Sequence, residues 1–401
     1  MVPNMYTGRY AQLDMASVPL IASPPADDTS AITLWREALN APERDADHML
    51  CDIYRHFWPT QGELIFTGAC SFQCAHCIYP PSFARHNRGL KADQWIGLLQ
   101  SLARDAGINT FVYGGRSINE EGVEVMRSVR ASFPDAQIGM IDNGISMLPH
   151  LDQLYRVKAN WFDVSLDGLA QEHDRQRGKP GSYNEGLRGA LYLKEQGFAP
   201  RVNILTCLTT LNYRSVCAMI REVNALGFKN FFITPITLGD GVGPAPDLRL
   251  SREQFHWFVE ELERTVVDLD DAWVEFLLFS ADYARDFAEE FPRLWRIGDM
   301  GRDEMYWDLG KFSGMEASAN ALFIRYYPLS LTGIRELIVN TNGEVIVPKA
   351  MAYGKVPSEM VLGNLLSETP RQLLDSLPDR RAFEFYRAEL RREVALLRSI
   401  V

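Results

Sequence analysis

The sequence has too little of several things to fit many function classes. No tract of five or six like charges occurs, and Lys plus Arg (41) are outnumbered by Asp plus Glu (52), for a formal net charge of -11. A nonspecific nucleic-acid or anionic-membrane partner is not expected, because such binding rests on clustered basic charge. No run of about 18 apolar residues exists, so no membrane-spanning helix is predicted. The polar stretch Met1–Arg9 is not followed by the apolar segment of a signal peptide. Cysteines number six: Cys51, Cys70, Cys74, Cys77, Cys207 and Cys217, with none after Cys217. Their spacing is no disulfide framework, and a cytoplasmic location with reduced thiols is expected.

What is present is a sizeable apolar content, 46% of 401 residues, enough for a substantial core. Residues 1–30 read as an irregular arm and residues 31–57 as two helices, with Cys51 packing in the second. From Leu64 onward, short apolar runs alternate with amphipathic segments. Six strands are expected, near residues 64–66, 109–113, 136–141, 161–166, 201–208 and 230–234. The intervening helices show apolar residues at helical spacing, such as Trp95, Leu98, Leu99 and Leu102. Alternation of this kind predicts a parallel α/β sheet with helical crossovers. Several strands end in Gly, Asp or Asn, and in parallel α/β folds that edge carries ligand chemistry. Ser251 and Gln254 predict a capping box for a helix to Leu269. Further on, Trp273–Phe279 reads as a possible strand, and Asn342-Gly343 between two β-rich runs suits a type I′ hairpin. A boundary is expected near residue 270. The division is 1–60 arm and helices, 61–270 barrel, and 271–401 an α+β part covering the substrate.

The stretch that organises the chain is Glu63-Leu-Ile-Phe-Thr-Gly-Ala-Cys70-Ser-Phe-Gln-Cys74-Ala-His-Cys77-Ile-Tyr-Pro80. Three thiolates on one loop suit a metal or a cluster. A structural zinc site closes its tetrahedron with four Cys or His ligands; a fourth would have to be His76, His86 or a distant residue. A four-iron cluster on three thiolates leaves one iron open to an outside ligand, and cluster iron prefers thiolate.

Cys70-x3-Cys74-x2-Cys77 after a first strand resembles the signature of the radical SAM superfamily. Further motifs follow in the same order. Tyr113-Gly114-Gly115 resembles the family's Gly-Gly-Glu element, with Arg116 in place of the glutamate that usually faces the amino group of S-adenosylmethionine (SAM). Asp142-Asn143-Gly144 resembles its Thr-Asn-Gly. Val164-Ser165-Leu166-Asp167-Gly168 resembles its Ser-Leu/Ile-Asp-Gly. His173-Asp174-x2-Arg177-Gly178-x2-Gly181-Ser182-Tyr183 is similar to the subgroup related to SPASM proteins. The resemblance covers about residues 60–250.

It implies a partial (β/α)6 barrel with a [4Fe-4S] cluster on Cys70, Cys74 and Cys77 and SAM on the open iron. One electron then cleaves SAM to methionine and a 5′-deoxyadenosyl radical that abstracts a substrate hydrogen. A flavodoxin or ferredoxin is the expected electron donor. Gly114, Gly115, Asn143, Ser165, Asp167 and Arg177 are expected at SAM, with Arg177 on its carboxylate, a pairing that suits a fixed guanidinium fork. His76 stands where an aromatic ring on adenine is usual.

Residues 334–365 are similar to a SPASM or twitch half-domain, but Val345-Ile-Val-Pro-Lys-Ala-Met-Ala-Tyr353 holds no cysteine, so no auxiliary cluster is expected. Without that electron sink, a redox-neutral outcome is favoured: epimerisation of a small polar metabolite such as a sugar, nucleoside or aminoglycoside-like intermediate of antibiotic biosynthesis. Cys207 and Cys217 are the candidate hydrogen donors. The alternatives are peptide modification, dehydrogenation, decarboxylation or rearrangement of a small metabolite, and, outside enzymes, a zinc or cluster protein that binds a partner.

Overall fold

The structure is a computed structural model and describes residues 48, 51, 54, 59–80, 82–83, 89–114, 117–236, 248–291, 307–311, 320–331 and 336–398. The expected N-terminal arm, most of the 31–57 helices and the Gly/Pro-rich stretch 238–247 lie outside the described residues. Cys51 is buried, as expected of packing, and Arg387 donates to its sulfur at 3.2 Å.

The strands are β1 (Gln61–Ile65), β2 (Thr110–Gly114), β3 (Gln137–Asp142), β4 (Trp161–Ser165), β5 (Arg201–Leu208), β6 (Asn230–Pro235), β7 (Trp273–Leu278), β8 (Trp307–Lys311), β9 (Ala321–Tyr326), β10 (Glu336–Val339), β11 (Glu344–Ile346) and β12 (Val361–Asn364). The helices are α1 (Ala92–Ala106), α2 (Glu120–Ser132), α3 (Leu151–Val157), α4 (Ala170–Arg177), α5 (Ser182–Glu195), α6 (Val216–Ala225), α7 (Arg252–Val267), α8 (Ala281–Glu290), α9 (Pro370–Ser376) and α10 (Glu384–Arg398).

All twelve strands form one sheet in the order β12-β11-β10-β1-β2-β3-β4-β5-β6-β7-β9-β8. Strands β1 to β6 are parallel neighbours, as the alternation predicts. Every residue of β1, β2 and β4 is buried, the mark of a parallel sheet covered on both faces. Helix α1 buries the expected Trp95, Leu98, Leu99 and Leu102. Ser251 and Gln254 form the expected capping box of α7.

The sheet runs beyond the six expected strands, and one expectation changes. Past residue 270, β7 continues parallel on β6 and β9 parallel on β7. At the other edge β10 lies parallel to β1, where Gln61 Nε2 donates to Glu336 at 2.8 Å. The segment after 270 thus extends the sheet at both edges. The hairpin at Asn342-Gly343 is not of type I′, which needs φ > 0 at both central residues. The turn spans Asn340–Gly343, closed by Gly343 N–H on Asn340 O at 2.9 Å. Only Gly343 is left-handed (φ 82). The loop is one residue longer, so the glycine sits after the tight turn and not at its centre.

The sheet positions the site through its period of two. Asp163 and Asn203 are opposite one another on β4 and β5, with Asn203 Nδ2 donating to Asp163 at 2.7 Å and Trp161 Nε1 at 3.1 Å. The Trp161 ring fills the space over Gly139, where a Cβ would stand 2.0 Å from it. Burial holds the Asp163 carboxyl up at about 7, against the two donated bonds. On the same strand faces, higher up, lie Ser165 and Cys207.

Candidate active site

The loop that leaves β1 is folded by its own small residues. Ala69 N–H donates to Thr67 Oγ1 at 3.0 Å, Phe72 N–H to Cys70 Sγ at 3.4 Å, and Cys77 N–H to Cys74 O at 3.2 Å. Cys70, Cys74 and Cys77 form no disulfide and are of intermediate exposure. They lie within electrostatic reach of one another. Burial pushes the Cys74 thiol up to about 11, Arg177 opposes that, and Cys77, Asp167 and Cys70 add to it.

Helix α4 fixes this loop from the far side. Ala75 N–H donates to Gln176 O at 2.8 Å. Gly178, left-handed at φ 64, brings its backbone onto the Gln73 carbonyl, which a Cβ would meet at 2.6 Å. The glycine is required there for both reasons.

Asp167 ties the parts together. Its Oδ2 accepts from Arg177 Nε at 2.6 Å and its Oδ1 from Cys207 N–H at 2.8 Å. Its own N–H donates to His173 Nδ1 at 2.9 Å. His76 Nε2 stands 3.9 Å from the same carboxylate. Burial alone would raise this carboxyl, but the charge of Arg177, with smaller contributions from His76 and His173, holds it at about 2. Burial pulls both His76 and His173 down to about 4, so both are neutral near pH 7. His76 Nδ1 is buried without a hydrogen-bond partner.

The expected residues separate clearly. Asp167, Arg177, His76 and Cys207 gather beside the cysteine loop, linked by the contacts above, and Ser165 ends β4 paired with Leu205 of β5. Gly114 ends β2 opposite Ile65. Asn143 is buried at the end of β3, and its Oδ1 accepts from Ile145 N–H and Ser146 N–H at 2.9 and 3.0 Å. That oxygen holds the turn, so only its amide nitrogen is free for a ligand. Cys217 is not brought to the site. It is buried on α6 among Thr265, Glu261, Arg221 and Arg264, toward α7. Gly115 and Arg116 lie outside the described residues.

Other residues of the site went unread in the sequence. Gln176 Nε2 and Asn212 Nδ2 both donate to Cys207 O, at 2.9 and 2.8 Å, and Gln176 Oε1 accepts from Thr209 at 2.6 Å. These amides fix the end of β5. Glu63, the one acidic residue of β1, is buried against Gly114.

The donor set fits a [4Fe-4S] cluster with SAM. Cys70, Cys74 and Cys77 would hold the iron, and their protons leave on ligation, which the Arg177 charge favours at Cys74. Among the described residues no three His, Cys, Asp or Glu side chains gather tightly enough to hold a single metal ion. A four-iron cluster requires no such convergence, since each thiolate binds a different iron. The unpartnered His76 Nδ1 offers a donor or acceptor to a ligand beside the loop. No described helix is long and apolar enough to cross a membrane.

The comparisons with known proteins agree with this geometry. Residues 64–223 match the radical SAM superfamily. The AdoMet-dependent heme synthase of Methanosarcina barkeri is 24% identical over 212 residues, 51% of this chain and 58% of its own. The sporulation killing factor maturation protein SkfB of Bacillus subtilis is 25% identical over 146 residues, 35% of this chain and 34% of its own. The chain thus spans well under two thirds of the curated relatives it matches. Among solved structures, Streptococcus suis SuiB bound to S-adenosylmethionine superposes with a TM-score of 0.58 at 13% identity, covering 82% of this chain and 68% of SuiB. SuiB bound to its precursor peptide SuiA gives 0.59 at 12% identity, covering 83% and 67%. The fold is that of radical SAM enzymes with a C-terminal extension. Residues 64–223, which hold the three-cysteine loop and the Asp167–Arg177 pair beside it, match the radical SAM superfamily, a family that uses a [4Fe-4S] cluster and SAM.

Proposed function

We propose that the chain epimerises a carbon centre of a small polar metabolite, with Cys207 as the hydrogen-atom donor. The observation that carries this reading is the place of Cys207. Outside the three loop cysteines it is the cysteine whose thiol lies within electrostatic reach of Cys74, Cys77, Asp167 and Arg177, and burial raises its pKa so that it keeps its proton. Cys51 and Cys217 pack elsewhere.

Bound SAM and cluster supply a radical that removes hydrogen from a substrate C–H. The substrate carbon then takes a hydrogen atom from Cys207 S–H on the opposite face, which forms the new C–H bond and leaves a thiyl. One electron from a flavodoxin- or ferredoxin-type donor and one proton from solvent restore the thiol. Asp167 holds the Cys207 backbone, and Gln176 and Asn212 hold its carbonyl, so the thiol is fixed at the strand end. Fixing the donor near its target replaces a bimolecular encounter. We place the reaction in the reducing cytoplasm, with residues 271–401 covering the substrate.

The peptide-bound structure of SuiB favours a second reading, in which the substrate is a residue within a peptide. Screening sugars, nucleosides and peptides for release of 5′-deoxyadenosine from the reconstituted enzyme separates the two. In D2O the product should gain one deuterium at the inverted carbon. Cys207→Ala should release 5′-deoxyadenosine yet form no epimer, and Cys70→Ala should do neither. A product without deuterium, or full turnover by Cys207→Ala, rejects the donor.

A further inference from the structure

Helix α4 reaches two parts of the site through one residue. Gln176, on its last turn, is fully buried. Its backbone carbonyl accepts from Ala75 N–H at 2.8 Å, in the loop between Cys74 and Cys77. Its side-chain Nε2 donates to Cys207 O at 2.9 Å, and its Oε1 accepts from Thr209 Oγ1 at 2.6 Å. Both ends of the amide are thus used, and a buried amide that lost either bond would leave a polar atom unmatched. The next residue, Arg177, reaches the other side of Cys207: it holds Asp167, whose Oδ1 accepts from Cys207 N–H at 2.8 Å. Asn212 Nδ2 also donates to Cys207 O, at 2.8 Å. It comes from the turn after β5, so that bond does not tie the strand to α4.

The backbone of Gln176 therefore serves the cysteine loop, and its side chain serves the end of β5. We propose that Gln176 is a positioning residue that fixes Cys207 against the cysteine loop, so that a substrate radical formed beside the loop meets the Cys207 S–H on its opposite face. This rests on the reading that Cys207 donates the hydrogen atom. A side-chain substitution at Gln176 separates the two tasks, because the bond to Ala75 is made by the backbone.

Reconstituted protein with SAM and the sugar, nucleoside or peptide that the screen above selects tests it, read as the ratio of 5′-deoxyadenosine released to epimer formed. Gln176→Met fills a similar space and makes neither side-chain bond. A misplacement of about 1 Å at a reacting centre costs up to roughly 100-fold, so the ratio should rise about 10- to 100-fold in the variant. A merely structural role would lower both yields together and leave the ratio unchanged. Iodoacetamide labelling of the reconstituted protein is a second readout that needs no substrate. In Gln176→Met, Cys207 should be labelled faster than in wild type, while the buried Cys217 is labelled at the wild-type rate. Faster labelling of both marks misfolding. Thr209→Val, which removes the donor to Gln176 Oε1, then takes the variant's place, with both readouts expected to shift in the same direction. If wild type forms no epimer from any of these substrates, the donor reading fails, and the Cys207 labelling alone decides the tether. An unchanged ratio where wild type forms the epimer, or unchanged labelling of Cys207, overturns the assignment of Gln176.

Discussion

Replacing Asp167 with Asn should cost the protein stability in a way that depends on pH. The carboxylate is fully buried and is bonded to Arg177 at 2.6 Å and to the Cys207 N–H at 2.8 Å. Asparagine keeps the shape and one acceptor oxygen but leaves a buried guanidinium unbalanced. Removing one partner of a buried pair costs about 3–5 kcal/mol. The depression of the carboxyl from its ordinary 3.8 to about 2 corresponds to ~2.5 kcal/mol, at about 1.4 per pH unit. The two routes agree on a few kcal/mol. The sign follows from the depressed pKa. The stabilisation is fully present above the unfolded value of 3.8 and is lost as pH falls through about 2. Urea unfolding at pH 6 should therefore separate wild type from Asp167→Asn by about 2.5–5 kcal/mol. At pH 3 the gap should shrink by roughly 1 kcal/mol. A gap under 1 kcal/mol at pH 6, or one that widens on acidification, would refute the reasoning that Asp167 is an ionised, paired hub.

Two further perturbations test other parts of the fold. Glu393 on α10 is buried against Ser330, whose N–H donates to it at 3.2 Å, and burial lifts its carboxyl to about 8. A raised pKa means stability that is present at acid pH and lost as pH climbs through 8. Glu393→Gln should flatten the stability profile between pH 5 and 9 and exceed wild type at pH 9, by on the order of a few kcal/mol; parallel profiles would contradict this. Gly189 on α5 lies against β3's end, where a Cβ would stand 2.0 Å from Gly144 O, a backbone atom that cannot swing aside. Gly189→Ala should lower stability by about 1–3 kcal/mol, whereas Gly97→Ala on α1, with nothing within 4 Å of the new methyl, should raise it by roughly 0.5–1 kcal/mol. Equal urea midpoints for the two would remove the packing argument.

Much of the barrel was legible because local chemistry writes it. Both-face burial gives β1 to β6 their continuous apolar runs, and strands that end at a ligand edge carry small and polar residues there. The three cysteines were legible because thiolates at loop spacing have few other uses. What was missed depends on contacts distant in sequence. Nothing near Gln61 announces that Glu336, 275 positions away, will lie beside it. The sheet's passage across residue 270 was hidden for the same reason, since β9 pairs with β7 after a long intervening segment. Cys217 was drawn toward the site by its nearness to β5 along the chain. Its helical face could have corrected that, because Cys217, Ile220 and Asn224 recur at helical spacing and are all buried.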